Sequence, residues 1–568
     1  MPRLVPLIVL FVSSLAYYYY YSNFVKPNRT NIDPKFRSEQ IENVIIQTWT
    51  DYKLNGWGKD IYHPINHRTS RNMPISGEPL GWIIIDALDT LLYVHSYSKN
   101  QTIKENMQQE IENVADWCIN TLNYDIDTNV NIFETTIRML GGLLSSYYLT
   151  ETTYSHNNRS TNNNNTLDSK IFLEKAIDLA DRLIPAFNQS ATGIPYSSVN
   201  LHSGDAKRNR ADMGTSSTAE FTTLQLEFKY LSILTGDDKY WKYTESVYEP
   251  LYTNNNLIDL YDSLIPIYTF PNTGKFYTRN IRMGSRGDSF YEYLLKQYLF
   301  THETLYYQLY RKAMDGMKRH LLRQSSPNRL VYIAERPFGL NNIHSSKMDH
   351  LVCFMGGLLA MGATEGITIS KARTMDWWNY EREQDWLLAQ ELTYTCYQMY
   401  KQTPTGLAPE IVVFNDPESA EARRFNPKNT NWWISPTKDF AIKPLDAHNL
   451  QRPETVESIM ILYHITKDKK YRQWGAEILD SFIKHSCIHC DEPNLITYTS
   501  LDNMIQIPTK KKDNLESFWI AETLKYLYLL FQDDFDLTKV VFNTEAHPFP
   551  VISEELLKKL NLTTGWNI

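Results

Sequence analysis

Residues 516–531 read ESFWIAETLKYLYLLF, and residues 284–299 read GSRGDSFYEYLLKQYL. Each opens on acidic residues and runs into a stretch that is apolar round most of a helical surface, as in Leu524-Lys-Tyr-Leu-Tyr-Leu-Leu-Phe531. A helix with one apolar stripe rests on a core, whereas one that is apolar nearly all round is covered on two sides. Apolar residues at i, i+3, i+4 and i+7 mark further helices at 133–149, 172–187, 219–234, 305–322, 386–400, 455–465 and 471–485. Strand-like runs are few and short, such as 329–334 and 409–413. The chain is therefore predicted to be all-α. Helical pairs recur without repeated sequence, which suits a closed α/α toroid, and an α-solenoid fits the periodicity equally well.

Apolar residues make up 42% of the 568 and charged residues 21%, enough for a large core and incompatible with global disorder. The net charge of −8 argues against nucleic acid as a partner, since phosphate binding needs a basic surface. Leu4 to Val25 form one apolar and aromatic run, long enough to span a bilayer, with Tyr17–Tyr21 suited to an interfacial belt. An uncleaved transmembrane signal-anchor over residues 1–25 is expected in preference to a cleaved signal peptide, followed by a short stem (26–38) and one large helical domain (39–568). Six N-x-S/T sequons, at Asn28, Asn100, Asn158, Asn164, Asn188 and Asn561, agree with a lumenal domain. The five cysteines leave at least one unpaired within the chain. Cys487-Ile-His-Cys490 lacks both a βαβ context and a second CxxC, so a local disulfide is expected rather than a redox or zinc site. The segment 156–166, HNNRSTNNNNT, reads as an exposed loop insertion. Lys207-Arg208 has the form of a dibasic protease site, a pattern too common to carry weight.

Acids gather at the starts of the apolar helices: Glu134, Glu220, Asp288 with Glu292, Glu410, Glu454 with Glu457, and Glu516 with Glu522. Each has an ordinary explanation. First-turn acids favour the helix dipole, Ser217-Thr-Ala-Glu220 is a capping box, and Pro453 sets Glu454 in a first turn. The set is harder to dismiss. Asp288 and Glu292 share a helix face, as do Glu454 and Glu457, and their neighbours include Phe290, Tyr291, Tyr293, Phe518 and Trp519. Carboxylates in apolar surroundings need partners, a cation or protons. Helices starting at one end of a toroid would bring these acids into one cavity, which is the chemistry of glycoside hydrolysis.

The segments GWIIIDALDTL (81–91), FETTIRMLGG (133–142), STAEFTTLQLEFKYLSILTG (217–236), GSRGDSFYEYLLKQYL (284–299), KMDHLVCF (347–354), TGLAPE (405–410), RPETVES (452–458), ESFWIAETLKYLYLLF (516–531) and VFNTEAHP (541–548) together resemble the class I α-1,2-mannosidases, glycoside hydrolase family 47. That resemblance implies an (αα)7 barrel that removes α-1,2-linked mannose from high-mannose N-glycans with inversion and needs calcium. It matches Glu134 to the general acid, acting directly or through a water, Asp288 to a second candidate proton donor, and Glu454 to the general base. Glu220, Glu292, Glu410, Glu457, Glu522 and Glu545 match the remaining cavity acids, and Arg138 and His350 match positions lining the cleft. Thr544 matches the residue that ligates calcium through its hydroxyl and carbonyl. Cys353–Cys396 and Cys487–Cys490 match the family's disulfides, leaving Cys118 free. Arg286 matches the endoplasmic-reticulum type, implying removal of mainly one mannose from the nine-mannose glycan by a monomeric, single-pass type II protein of the endoplasmic reticulum membrane. Met355-Gly356 and Gln451 depart from the usual Leu-Pro and Leu without removing a carboxylate. Rival readings are a lectin or a broader-trimming Golgi-type enzyme on the same fold. The intact set Glu134, Asp288, Glu454 and Thr544 argues against the first, and Arg286 against the second.

Overall fold

The computed structural model describes residues 30–70, 78–154, 168–425, 431–493 and 495–566. The expected anchor at 1–25 and the Asn-rich segment 156–166 lie outside the described residues, among which no helix is long and apolar enough to cross a membrane.

Helix α1 (Pro34–Gly56) begins where Asp33 accepts the Phe36 amide and Pro34 supplies a ready-made first turn. It thus starts inside the segment expected to be a stem, and it is tied down by the buried Arg37, whose Nη2 donates to Asp480 Oδ2 at 3.0 Å. After it come α2 (Trp82–Tyr97), α3 (Gln101–Asn120), α4 (Gly141–Leu149), α5 (Lys170–Leu183), α6 (Gln225–Thr235), α7 (Lys239–Glu245), α8 (Asp288–Thr301) and α9 (Thr304–His320). The rest of the chain supplies α10 (Met355–Thr364), α11 (Tyr380–Lys401), α12 (Glu454–Thr466), α13 (Lys469–Ser486) and α14 (Lys525–Leu530).

Two burial patterns sort these helices. In α2 all but the last two residues are buried, and in α14 every residue is. In α5 the buried residues are Phe172, Ala176, Leu179, Ala180 and Leu183, one stripe at helical spacing. The first kind forms an inner ring and the second an outer one. Among the described residues α2, α4, α6, α8, α10, α12 and α14 pack each on the next, and the segment leading into α14 packs back on α2, which closes the ring. Helices α3, α5, α7, α9, α11 and α13 each cover the inner helix that precedes them, and α1 covers α14. The helical barrel expected from the sequence is therefore what the described residues build. Gly356 permits one close approach in it: a Cβ there would meet Thr393 Oγ1 of α11 at 2.1 Å.

Two of the expected helices are interrupted by π-helical turns, at Thr135–Leu140 before α4 and Trp519–Leu524 before α14. The expected helix 219–234 is two pieces, Thr218–Phe221 and α6. Strands are short, as expected: β1 (Asn129–Asn131), β2 (Ser198–Asn200), β3 (Ala206–Lys207), β4 (Lys347–Asp349), β5 (Ile411–Phe414), β6 (Trp433–Ile434), β7 (Phe440–Ile442), β8 (Val540–Phe542) and β9 (Pro548–Pro550). An antiparallel sheet in the order β4-β5-β7-β6 and the hairpin β8-β9 flank the ring. The disulfides pair Cys353 with Cys396, joining the turn before α10 to α11, and Cys487 with Cys490; Cys118 is a buried free thiol.

Candidate active site

Except for α2, the inner helices start at a common cavity of about 310 Å³. Asp288 and Glu454 are the first residues of α8 and α12, with Glu292 and Glu457 one turn on. Glu134 ends a short turn capped by Asn131, whose Oδ1 accepts the Glu134 amide at 2.9 Å. Glu220 lies in the four-residue turn before α6. Arg138 and Glu522 sit within the two π-helical turns. A π-turn carries an extra residue and so re-aims the side chains around it, which is why such turns gather at functional sites. Thr544 and Glu545 come from the turn between β8 and β9. Together with Arg286, all of these line the cavity. Helix N-termini are the positive ends of their dipoles, so the ring aims several of them at a nest of acids.

Two arginines organise the wall. Arg138 donates Nε to Glu134 Oε2 at 3.0 Å and Nη1 to Glu545 Oε2 at 2.8 Å. Arg452 donates to Glu410 Oε1 at 2.6 Å and stands 3.9 Å from Glu454 Oε1. The Phe518 ring lies between them, 5.9 Å from the Arg138 guanidinium carbon and 5.5 Å from that of Arg452.

The carboxyls divide electrostatically. Burial by itself would raise Glu454, but the hydrogen bond and charge of His350, followed by the charge of Arg452, outweigh it and hold Glu454 below the usual range. Burial pushes Asp288 up to about 7, the Ser289 amide opposing and the charges of Glu292 and Asp349 adding to it. Burial likewise lifts Glu220 to about 7, Glu545 to about 7 and Glu457 to about 8, and raises Glu522. One carboxylate kept charged beside another group kept protonated is the division of labour that acid–base catalysis needs.

Residues 44–551 match the family model described as Glycosyl hydrolase family 47. The chain belongs to that family. Over 563 residues, the chain is 56% identical to the endoplasmic reticulum mannosyl-oligosaccharide 1,2-alpha-mannosidase of Saccharomyces cerevisiae, spanning 99% of this chain and 98% of the yeast protein. Over 536 residues it is 47% identical to the mannosyl-oligosaccharide 1,2-alpha-mannosidase of Candida albicans, spanning 93% and 85%. Its fold is similar to the solved alpha-1,2-mannosidase from Trichoderma reesei, with a TM-score of 0.75 at 25% identity over 91% of this chain and 99% of that one.

Three expectations need correction in this family 47 enzyme. His350 does not line the cavity: it is 2% exposed and stands behind Glu454, its Nδ1 2.7 Å from Glu454 Oε2. Glu410 likewise stands behind Arg452 rather than on the cavity wall, its own amide bound by the carbonyls of Asp446 and His448. Both groups support a wall residue. Nor does Ser217 form a capping box, since its side chain caps nothing in a helix of only four residues. Glu220 instead meets Asn131 Nδ2 at 3.4 Å.

Several residues had no role assigned from sequence. Asp86 and Asp89 are fully buried in α2 and bracket His547, at 3.1 and 2.7 Å. Lys525 Nζ bonds Asp89 Oδ1 at 2.7 Å and the Ala546 carbonyl at 2.7 Å. From α8, Lys296 bonds Glu292 and donates to the Asn543 carbonyl at 3.1 Å. Two buried lysines thus grip the turn that carries Thr544 from either end. A charge inside an apolar helix was the available signal, because burying Asp86, Asp89 or Lys525 unpaired is prohibitive.

Proposed function

We propose that this enzyme hydrolyses terminal α-1,2-linked mannose from high-mannose N-glycans with inversion at the anomeric carbon. The observation that carries this reading is the opposed pair in one cavity, Glu454 held below the usual carboxylate range by His350 and Arg452 and Asp288 raised by burial to about 7. Glu454 takes a proton from water as that water attacks the anomeric carbon. The bond from that carbon to the leaving oxygen breaks, and the oxygen takes up a proton. Asp288 carries a proton suited to that task, and Glu134, fixed by Arg138, is the second donor, acting through a water. Glu220 and Arg286 stand at the wall to hold hydroxyls of the outgoing glycan.

The residues present also fit calcium. Among the described residues no three His, Cys, Asp or Glu side chains converge to hold a metal directly. Thr544, whose hydroxyl donates to Glu292 Oε2 at 2.8 Å, offers hard oxygen atoms of its own. Glu457, Glu522 and Glu545 are raised by burial, which a dication would relieve. Calcium accepts six to eight oxygens of mixed origin, so Thr544 would hold it with waters supported by Glu292, Glu457, Glu522 and Glu545. When bound there it supplies coordination to sugar hydroxyls and offsets the cavity's charge.

Arg286 is held by Asp212 Oδ2 at 2.8 Å and over the Tyr268 ring, its guanidinium carbon 5.0 Å from the ring centre. A fixed guanidinium at the mouth supports removal of mainly one mannose, giving the eight-mannose glycan, in processing and quality control of glycoproteins. An anchor at residues 1–25 would place the catalytic domain in the lumen of the endoplasmic reticulum as a monomer. The test is to incubate the protein with the nine-mannose glycan, with and without a calcium chelator, and follow products by NMR. Release of one β-mannose, lost on chelation and restored by calcium, is the expected result. Binding without turnover makes the protein a lectin.

A further inference from the structure

A second cleft, of about 1150 Å³, opens beside the catalytic cavity. Asn131 joins the two: it lines the cleft and its Nδ2 reaches Glu220 Oε2 of the cavity wall at 3.4 Å. The other walls come from Ser197, from Ser198 of β2 and from the segment Ala206–Gly214. Three charged residues line it, Lys207, Arg208 and Arg210, and all three are exposed cations. That reverses the sign of the whole chain, whose net charge is −8, and of the acid-rich cavity next door.

The loop is a built surface. Lys207 is in β3, paired with Ser198 of β2, and the Arg208 guanidinium carbon lies 5.8 Å from the centre of the Tyr196 ring. Asn209 accepts the Ala211 amide at 3.0 Å, donates to Asp212 Oδ2 at 2.6 Å, and its carbonyl accepts the Gly214 amide at 2.8 Å. Asp212 is neutralised by Arg286, so the acid of this loop is turned toward the catalytic mouth and the three cations are left facing the cleft. Strand pairing with Ser198 holds Lys207 in place at the start of this loop.

A neutral oligosaccharide gives no reason to gather three full charges and no acid along one wall. We propose that this cleft docks an acidic segment of the glycoprotein polypeptide that carries the glycan being trimmed. The proposal rests on the glycan-trimming function and adds the protein part of the substrate to it. Charge complementarity of this kind acts on encounter and on KM, and it is screened by salt.

The experiment compares three substrates at low and at high salt: the free nine-mannose glycan, the same glycan on a peptide whose flanking residues are Asp and Glu, and the same glycan on a peptide flanked by Ser and Gly. For wild-type enzyme, kcat/KM on the acidic glycopeptide is expected to exceed that on the neutral one by about five- to tenfold, the size of three exposed ion pairs, through KM and with loss at high salt. The triple variant Lys207→Ala, Arg208→Ala, Arg210→Ala is expected to lose this preference while turning over the free glycan as wild type does. Equal kcat/KM on the two glycopeptides for wild type overturns the proposal, as does an equal loss on all three substrates in a folded triple variant, which would make the cleft a sugar site. Failure of wild type on the free glycan counts against the trimming function itself, separately from the docking cleft.

Discussion

His350 Nδ1 lies 2.7 Å from Glu454 Oε2, while its Nε2 meets the hydroxyls of Tyr400 and Thr455, each at 3.0 Å. The ring is fixed from both sides, and its orientation fixes the carboxylate in turn. Replacing His350 by Phe removes the group that outweighs burial at Glu454, so the Glu454 pKa rises. The acid limb of the pH–rate profile should move to higher pH, with kcat reduced about 10- to 100-fold below pH 6, the worth of a hydrogen bond to a charged group. An unshifted acid limb would show that His350 does not act on the base.

Glu454→Gln keeps an acceptor for His350 and removes the base. Turnover should fall by ~10²–10⁴ with glycan affinity retained, measured by single-turnover kinetics and by glycan titration. Near-normal turnover assigns the base elsewhere.

Thr544→Ala removes one oxygen from the turn gripped by Lys296 and Lys525 and leaves the grip intact. Calcium affinity, read by calorimetry, should fall, and the calcium-induced rise in Tm should shrink with it. A full rise in the variant would remove Thr544 from the ligand set.

The raised carboxyls make the calcium-free protein sensitive to pH in a defined direction. Asp288, Glu220 and Glu545 at about 7 and Glu457 at about 8 bind protons in the folded state that the unfolded chain has released above about 4.5. The native state therefore holds more protons between those values, and stability falls as pH rises from about 5 to 8. The Tm of chelated protein should drop across that window, and calcium should flatten the drop. A chelated Tm that climbs with pH contradicts the charge assignment.

Arg286→Leu removes the donor to Asp212 and the guanidinium at the mouth while keeping a side chain at a φ of 73°. The variant should remove further α-1,2-linked mannoses from the nine-mannose glycan, seen by product profiling over time. An unchanged product pattern would confine Arg286 to pairing with Asp212.

The all-α class was legible because the inner helices betray themselves by being apolar all round, as 524–531 is, whereas closure into a barrel was not, since an α-solenoid has the same periodicity and only the family resemblance implied the ring. Helix α2 shows the limit: with all but its last two residues buried it has no polar face, hence no period, and only motif resemblance marked it. The π-turns at 135–140 and 519–524 were invisible for a related reason, since one extra residue in a buried helix leaves composition unchanged. Acids at helix starts pointed to the cavity. Sequence could not separate Glu454, which faces it, from Glu410, which stands behind Arg452, because the distinction depends on contacts between distant segments.

Closure of the ring has a consequence for biosynthesis. Thr90 bonds the Ile520 carbonyl across 430 positions, and Tyr528 bonds Glu42 across 486. On the ribosome, α2 has no lateral neighbour on that side until almost the entire chain has been made, and Asp86 and Asp89 wait as long for His547 and Lys525. Early segments therefore emerge with apolar surface that stays uncovered, the state in which nascent chains need chaperones most. The cavity is complete only when the final hairpin docks, bringing Thr544 and Glu545 to it, Glu545 to Arg138, and His547 to Asp86 and Asp89.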